Sequence, residues 1–314
     1  MRITIVTPAY NVAPYIGATL TSVRAQTHQD WTLLAIDDGS TDATAAIIAR
    51  ARDPRIRLIR QANAGVSAAR NRGIAELDGD AVMFLDGDDW LAPDALSRMA
   101  TALGPADAVA AYGAYCFVTQ DGSAVVARKS GPFPAGDILD RLLVRNLFAN
   151  GGHVLIRADA VSLAGRFRAD IAYGEDWDYW CRLALAGRFV TVPGPAPLLF
   201  VRQRRGSAYL RMASNPLAFA PCMQAIFGNP ALIARLGAAR ATRLRAQAEA
   251  ENRWIVGREL IRHGRRADGL AWLRRSFAGN PSAKRAVLLA AAHALGVLPP
   301  RLHGPFRAYG QEPA

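Results

Sequence analysis

The sequence predicts an α/β fold: a mostly parallel sheet with flanking helices, followed by a basic C-terminal helical appendage. Three observations carry this. Short β-branched or apolar runs alternate with segments of helical spacing through the first third. The runs at 3–7, 31–36 and 81–85 each end in a turn built from Pro, Gly or Asp. Beyond Pro216 the pattern changes to Ala/Arg/Leu-rich helix with little strand signal. Strands separated by helices need crossover connections, and these make neighbouring strands parallel. A chain of 314 residues holds one large α/β domain and a smaller appendage, divided here at 1–210 and 211–314.

The elements follow in order. Ile3 to Thr7 is the first strand, closed by Pro8, and Ala13 to Gln26 is a helix with Ile16, Leu20 and Val23 on one face. Trp31 to Ile36 is the second strand, after which Ser40 suits the N-cap of a helix through Ile47 and Ile48. Arg57 to Arg60 is a short third strand, Val66 to Leu77 a helix, and Ala81 to Leu85 a buried strand. The middle is less regular, with a hairpin expected around Asp121-Gly122, a turn near Gly151-Gly152 and a helix from Trp177 to Leu185. Ala239 to Arg262 and Ala267 to Phe277 read as two helices joined at His263, the second similar to the later half of a tetratricopeptide-type repeat.

Charge is unevenly placed. Residues 1–201 hold 19 Lys/Arg against 21 Asp/Glu, whereas residues 202–314 hold 19 against 5, so the whole excess of the +12 chain lies in the last third. Such a surface attracts anionic lipid, nucleic acid or substrate phosphates; alternatively it is a solvated helical face. The N-terminal apolar run is too short for a signal peptide, and the stretch Ala286 to Leu298 is short of the about 20 residues that span a bilayer. Three widely spaced cysteines, Cys116, Cys181 and Cys222, suit a reducing compartment. A cytoplasmic protein, peripheral at the inner face of the membrane, is the expectation.

In parallel sheets ligands bind beyond the carboxyl ends of the strands, where Pro8, Asp38 and Asp86 all fall. Asp86-Gly87-Asp88-Asp89 crowds carboxylates at one strand end, which repel unless a hard cation such as Mg²⁺ or Mn²⁺ neutralises them; the other reading is an acidic surface turn. Asp37-Asp38-Gly39-Ser40-Thr41-Asp42 either accepts hydrogen bonds from a base and ribose or caps a helix, and Tyr10 either stacks on a base or packs at the rim. Asn63-Ala64-Gly65-Val66-Ser67-Ala68-Ala69-Arg70-Asn71 combines small residues, a helix start and a cation, which suits a diphosphate. Gly174-Glu175-Asp176-Trp177-Asp178-Tyr179-Trp180 joins acids able to act as a base to indoles able to stack on a sugar. An amphipathic helix with an acidic first turn explains those acids but not the Trp density.

Together with Thr7-Pro8-Ala9-Tyr10-Asn11, these motifs resemble, in order and spacing over residues 1–210, the family 2 glycosyltransferases of the GT-A fold. The resemblance implies an inverting transfer from a nucleotide-diphosphate sugar, usually a UDP-sugar, to a glycan, lipid-linked or protein acceptor, with Mn²⁺ or Mg²⁺ as cofactor. It places Tyr10 and Asp38 at the base, Asn63 and Arg70 along the nucleotide with Pro8 among the nucleotide-binding residues, Asp86 and Asp88 at the metal, and Gly152 and His153 near the sugar. Asp176 becomes the catalytic base, Glu175 its competitor, and Trp177 and Trp180 substrate contacts. One departure stands out: relatives end this region with Tyr-Arg-x-His, but Phe200 to Ser207 carries Arg204 at the His position. Arg clamps a diphosphate but ligates no metal.

Two other classes stand beside this one. A nucleotidyltransferase needs a basic Gly-rich loop after the first strand, and Thr7 to Tyr15 contains no Lys or Arg. A non-enzymatic binder of anionic surfaces would leave the acidic motifs without a purpose, and the basic region lacks the interleaved aromatics of single-strand nucleic-acid binding, so no nucleic acid is expected.

Overall fold

The computed structural model describes residues 1–204, 217–262 and 264–294. Arg205 to Ser207, His263, Gly296 to Leu298 and the division at residue 210 therefore lie outside the described residues.

Strand β1 (Ile3–Ala9) is almost wholly buried, and helix α1 (Ala13–Arg24) buries Ile16, Leu20 and Val23, the face that the apolar spacing predicts, together with Thr19. Next come β2 (Trp31–Asp38), α2 (Thr44–Ala49), β3 (Ile56–Gln61), α3 (Val66–Ala75) and β4 (Ala81–Phe84). Pairing of β1 with β2, of β2 with β3 and of β1 with β4 is parallel throughout, as the alternating pattern requires. Helix α2 starts later than Ser40. Its first turn is held by Asp42, whose Oδ1 accepts the Thr44 amide at 2.9 Å, while Ser40 Oγ accepts the Asn11 amide at 3.1 Å. Helix α3 lies directly on β1, because a Cβ on Gly73 would overlap the Val6 side chain.

The middle supplies β5 (Trp90–Leu91), α4 (Ala95–Ala102), β6 (Ala108–Tyr112), β7 (Tyr115–Val118), β8 (Val125–Lys129), α5 (Leu139–Val144), β9 (Val154–Arg157), α6 (Ala158–Ala164), α7 (Glu175–Ala186), β10 (Arg188–Thr191) and β11 (Leu199–Arg202). The seven-stranded sheet runs β10-β6-β9-β4-β1-β2-β3, with β9 antiparallel to both of its neighbours. A four-stranded sheet, β5-β11-β7-β8, holds the expected hairpin, with Gly122 at φ +78° in its tip. The expected turn at Gly151-Gly152 is one turn of 3-10 helix leading into β9.

The chain forms two compact units, the first ending at Arg202 and the second comprising residues 140–147, 172–174 and those from Gln203 onward. The second unit contains α8 (Ala220–Phe227), α9 (Pro230–Leu236), α10 (Ala238–Arg262), α11 (Arg266–Gly279) and α12 (Ala283–Ala294). Helices α10 and α11 cross at reciprocal glycines: a Cβ on Gly257 would meet the Gly269 carbonyl at 2.9 Å, and one on Gly269 the Gly257 carbonyl at 2.6 Å. Trp254, Leu273, Leu288 and Ala292 form the core of the α10–α12 group. Among the described residues no helix is long and apolar enough to cross a membrane.

Candidate active site

Three loops at the carboxyl ends of β1, β2 and β3 are tied together by polar side chains. Asp38, at the end of β2, is buried; its Oδ1 accepts Gln61 Nε2 at 2.7 Å and the Ala64 amide at 3.0 Å, and its Oδ2 the Gly65 amide at 2.8 Å. Asn63 Nδ2 returns a bond to the Asp38 carbonyl at 3.0 Å. Asp38 thus shapes the loop before α3 and has little acceptor capacity left for a ligand. Asn11 sits at φ +50°, where Asn is better tolerated than most residues, and its Oδ1 accepts the Thr41 amide at 2.9 Å. Tyr10 beside it is half exposed at the rim.

Arg70 and Asn71 of α3 dock on the segment before α7. Asn71 exchanges two hydrogen bonds with the Phe167 backbone, at 2.8 and 2.7 Å, and the Arg70 guanidinium carbon lies 5.2 Å from the Phe167 ring centre. Phe167 stacks on Tyr179 of α7 at 3.9 Å and meets Phe84 of β4 edge-on at 4.9 Å. This cluster brings the start of α7 to the end of β4. Arg70, buried, spans the junction: Nη1 reaches Glu175 Oε1 at 2.9 Å and Nη2 reaches Asp86 Oδ1 at 3.2 Å. Burial works against its charge, but Asp86, Glu175 and Asp176 outweigh it, so the guanidinium holds its proton more tightly than usual. Its Nε is buried without a hydrogen-bond partner. Asp176, half-buried in the first turn of α7, is part of the same electrostatic group.

The acidic turn after β4 divides its carboxylates between two jobs. Asp86 and Asp88 are partly exposed, whereas Asp89 is buried and accepts the Arg202 amide at 2.8 Å and Asn150 Nδ2 at 2.6 Å. Burial, with the charges of Asp88 and Asp86, pushes the Asp89 carboxyl well above the usual carboxylate range. The turn therefore carries a negative field that a cation would relieve. Among the described residues no group of three or more His, Cys, Asp or Glu side chains is arranged to hold a metal. That donor set fits Mg²⁺ or Mn²⁺ held by one or two carboxylates with the remaining oxygens from a ligand's phosphates and water.

Four residues expected near the substrate are buried. Trp177 and Trp180 are 2% and 1% exposed, so they form core and offer no stacking platform. The aromatic density of α7 reflects packing: Trp180 lies 5.3 Å from Phe148 and 5.5 Å from Tyr179. Gly152 is glycine because a Cβ there would meet Leu199 Cδ1 at 2.8 Å and Leu85 Cδ1 at 3.1 Å. His153 is fully buried beside Tyr112, Tyr115 and Phe148. Arg204 belongs to the second unit.

His153 carries a testable consequence. Its Nδ1 donates to the Gly113 carbonyl at 3.0 Å and its Nε2 accepts the Ala149 amide at 3.2 Å, so the neutral ring is satisfied. Burial pushes its pKa down to about 4. Unfolded, a histidine near 6.5 takes a proton that the folded ring refuses, so stability falls as pH drops from 6.5 toward 4. The loss attributable to this residue is about 3 kcal/mol. Urea unfolding across that range should show a steeper decline in the wild type than in His153→Gln; parallel curves would refute it.

The sequence reading did not single out Asn150 or Arg202. Arg202 lies within the stretch Phe200 to Ser207, but no local pattern showed that its amide and guanidinium face the acidic turn.

A family model described as glycosyl transferase family 2 matches residues 4–161, half of the chain. The chain belongs to glycosyl transferase family 2. Among similar proteins, glycosyltransferase GlyA of Streptococcus pneumoniae is 42% identical over 95 residues, 30% of this chain and 14% of that protein. The succinoglycan biosynthesis protein ExoO of Rhizobium meliloti is 42% identical over 98 residues, 31% of this chain and 28% of that protein. The chain thus spans less than a third of either relative. Two solved structures share the fold. Residues 1–349 of Staphylococcus aureus TarS, in complex with UDP-GlcNAc, match with a TM-score of 0.56 at 15% identity, covering 95% of this chain and 93% of that one. The mannosyltransferase PcManGT of Pyrobaculum calidifontis, in complex with GDP-Man and Mn²⁺, matches at 0.60 and 19% identity, covering 94% and 80%. The family 2 member described here therefore has the GT-A fold.

Proposed function

We propose that this family 2 protein transfers a sugar from a nucleotide-diphosphate sugar to an acceptor hydroxyl with inversion at the anomeric carbon. UDP is the proposed nucleotide, and polysaccharide or glycoconjugate assembly the proposed setting. One observation carries this reading: Arg70 joins Asp86 of the acidic turn to Glu175 at the start of α7, with Asp176 in the same field. A group suited to a cation and diphosphate and a group suited to taking a proton are thus held as one unit from three distant segments. Pro8, Tyr10, Asp38 and Asn63 frame the base end, Asp38 by shaping the loop. The buried Nε of Arg70 is a donor that a diphosphate oxygen would satisfy. Asp86 and Asp88 would hold a divalent cation, which would supply charge to offset that of the departing diphosphate. Glu175, already paired with Arg70, positions that cation clamp and leaves the role of base to Asp176.

The polysaccharide setting draws support from ExoO and from the putative teichuronic acid biosynthesis protein TuaG of Bacillus subtilis, 32% identical over 124 residues. The donor class draws support from the ligands in the TarS and PcManGT structures. Turnover of a panel of nucleotide sugars, with Mn²⁺ and with excess EDTA, tests the reading. EDTA is expected to abolish turnover, and Asp88→Ala to weaken donor binding and rate together. Full activity in chelator would remove the metal; no binding or turnover of any nucleotide sugar would remove the function. Co-sedimentation with anionic and neutral vesicles at low and high salt checks whether the basic last third meets an anionic membrane surface; equal recovery on both would favour a solvated helical face.

A further inference from the structure

The acidic turn is held from behind by its backbone. The Asp86 carbonyl accepts the Asp89 amide at 3.1 Å. The Gly87 and Asp89 carbonyls, at 3.1 and 2.7 Å, share the single hydroxyl proton of buried Thr19 in α1. The Asp88 carbonyl accepts Nε of Arg202 at 3.0 Å. Every backbone carbonyl from Asp86 to Asp89 is therefore occupied, and two side chains from outside the turn, Thr19 and Arg202, occupy three of the four.

Arg202 is itself fixed with care. Its guanidinium carbon lies 4.9 Å from the Tyr15 ring centre and 4.7 Å from that of Trp90, and Trp90 stacks on Phe200 at 5.5 Å. Its Nη1 donates to the Gln120 carbonyl at 2.5 Å, and Gln120 Nε2 reaches the Tyr15 hydroxyl at 3.2 Å. Gly122, at φ +78°, lets the β7–β8 hairpin close over this group, since a Cβ there would meet Trp90 at 3.1 Å and Arg202 Nη1 at 3.3 Å. The guanidinium is thus flanked by two aromatic rings and pinned by a hairpin tip, with Nε left to hold the Asp88 carbonyl. A planar, multiply donating group is required for that arrangement, and a lysine ammonium cannot reproduce it.

From this geometry we infer that Arg202 and Thr19 are positioning residues that set where the Asp86 and Asp88 carboxylates stand, and so set how tightly the turn takes a divalent cation. The inference rests on the proposed cation role of Asp86 and Asp88. Groups that orient metal ligands without touching the metal commonly change its affinity by about 10–100-fold when removed.

The test uses the full chain and reads binding apart from turnover: free Mn²⁺ is followed by electron paramagnetic resonance in titrations of protein alone and of protein with UDP, and melting temperatures are recorded alongside. Arg202→Met is expected to weaken Mn²⁺ uptake by about 10-fold, Thr19→Val to weaken it in the same direction, and Arg202→Lys to fall between Met and wild type. Arg55→Met is the comparator, because Arg55 also covers an aromatic ring, Trp31 at 3.8 Å, and pairs with an acid, Asp53, but bonds nothing in the acidic turn. It should lower the melting temperature and leave Mn²⁺ uptake unchanged. If Arg202→Met proves too unstable to purify, Thr19→Val and Arg202→Lys decide. Variants that lose stability yet bind Mn²⁺ as the wild type does would overturn this inference alone. A wild type that takes up no Mn²⁺, with or without UDP, would overturn the cation reading and this inference with it.

Discussion

Asp176→Asn is expected to bind nucleotide sugar and Mn²⁺ as the wild type does while losing transfer by about 10²-fold or more. Inversion needs a single displacement, so the acceptor hydroxyl attacks opposite the departing diphosphate. That hydroxyl is a poor nucleophile until a positioned base takes its proton in the transition state. The base must stand apart from the carboxylates at the diphosphate, and Asp176 comes from a different segment, the first turn of α7. Asparagine keeps the size and can still accept the hydrogen bond that Asp176 Oδ1 takes from the Trp177 amide at 2.7 Å, but it takes no proton. Glu175→Gln is expected to cost less in rate, because Glu175 is committed to Arg70 at 2.9 Å. The product should be the β-glycoside from an α-linked donor. Near-normal turnover by Asp176→Asn, or a retained anomeric configuration, would show that the base lies elsewhere.

Arg70→Met is expected to produce the largest loss of stability among these substitutions, about 3 kcal/mol. The Arg70 side chain is 6% exposed, whereas its partners Asp86 and Glu175 are 28% and 16% exposed. Removing the cation leaves two carboxylates stranded at one junction with Asp176 near them. Water reaching the two acids keeps the cost at the lower end of the range for broken buried pairs, which is about 3–5 kcal/mol. Arg70→Lys should recover only part of the loss, since a point charge cannot bond both acids in the forked geometry. Adding Glu175→Gln to Arg70→Met should restore some stability by removing one stranded charge, a coupling that a double-mutant cycle reads directly. Urea unfolding of the wild type, the three single variants and the double variant decides; a change within about 0.5 kcal/mol for Arg70→Met would mean that the bridge contributes no more than an ordinary surface pair.

The alternation of apolar runs and helical spacing was enough to place β1 to β4 with α1 to α3 between them, because local periodicity and strand-ending turns decide those elements. The same reasoning located the acidic turns at the carboxyl ends of β2 and β4, since a parallel sheet puts all such ends on one edge. Sequence also separated the basic last third from the balanced remainder, a matter of counting charges. Tertiary structure alone decided which members of each motif face outward. Asp86-Gly87-Asp88-Asp89 offers three acids, and only the packing of β11 and Asn150 shows that Asp89 is the buried one. Trp177 and Trp180 read as a stacking platform in the sequence, and only the closure of Phe148, Phe167 and Phe84 around α7 shows them to be core. His153 is enclosed because β9 runs antiparallel between β4 and β6, a pairing that no local pattern specifies. The Arg70–Glu175 bridge joins residues 105 positions apart. Periodicity acts over a few neighbouring residues, whereas burial and partnership are set by whichever distant segments the sheet order brings together, so the elements could be read from the chain and the arrangement of the site could not.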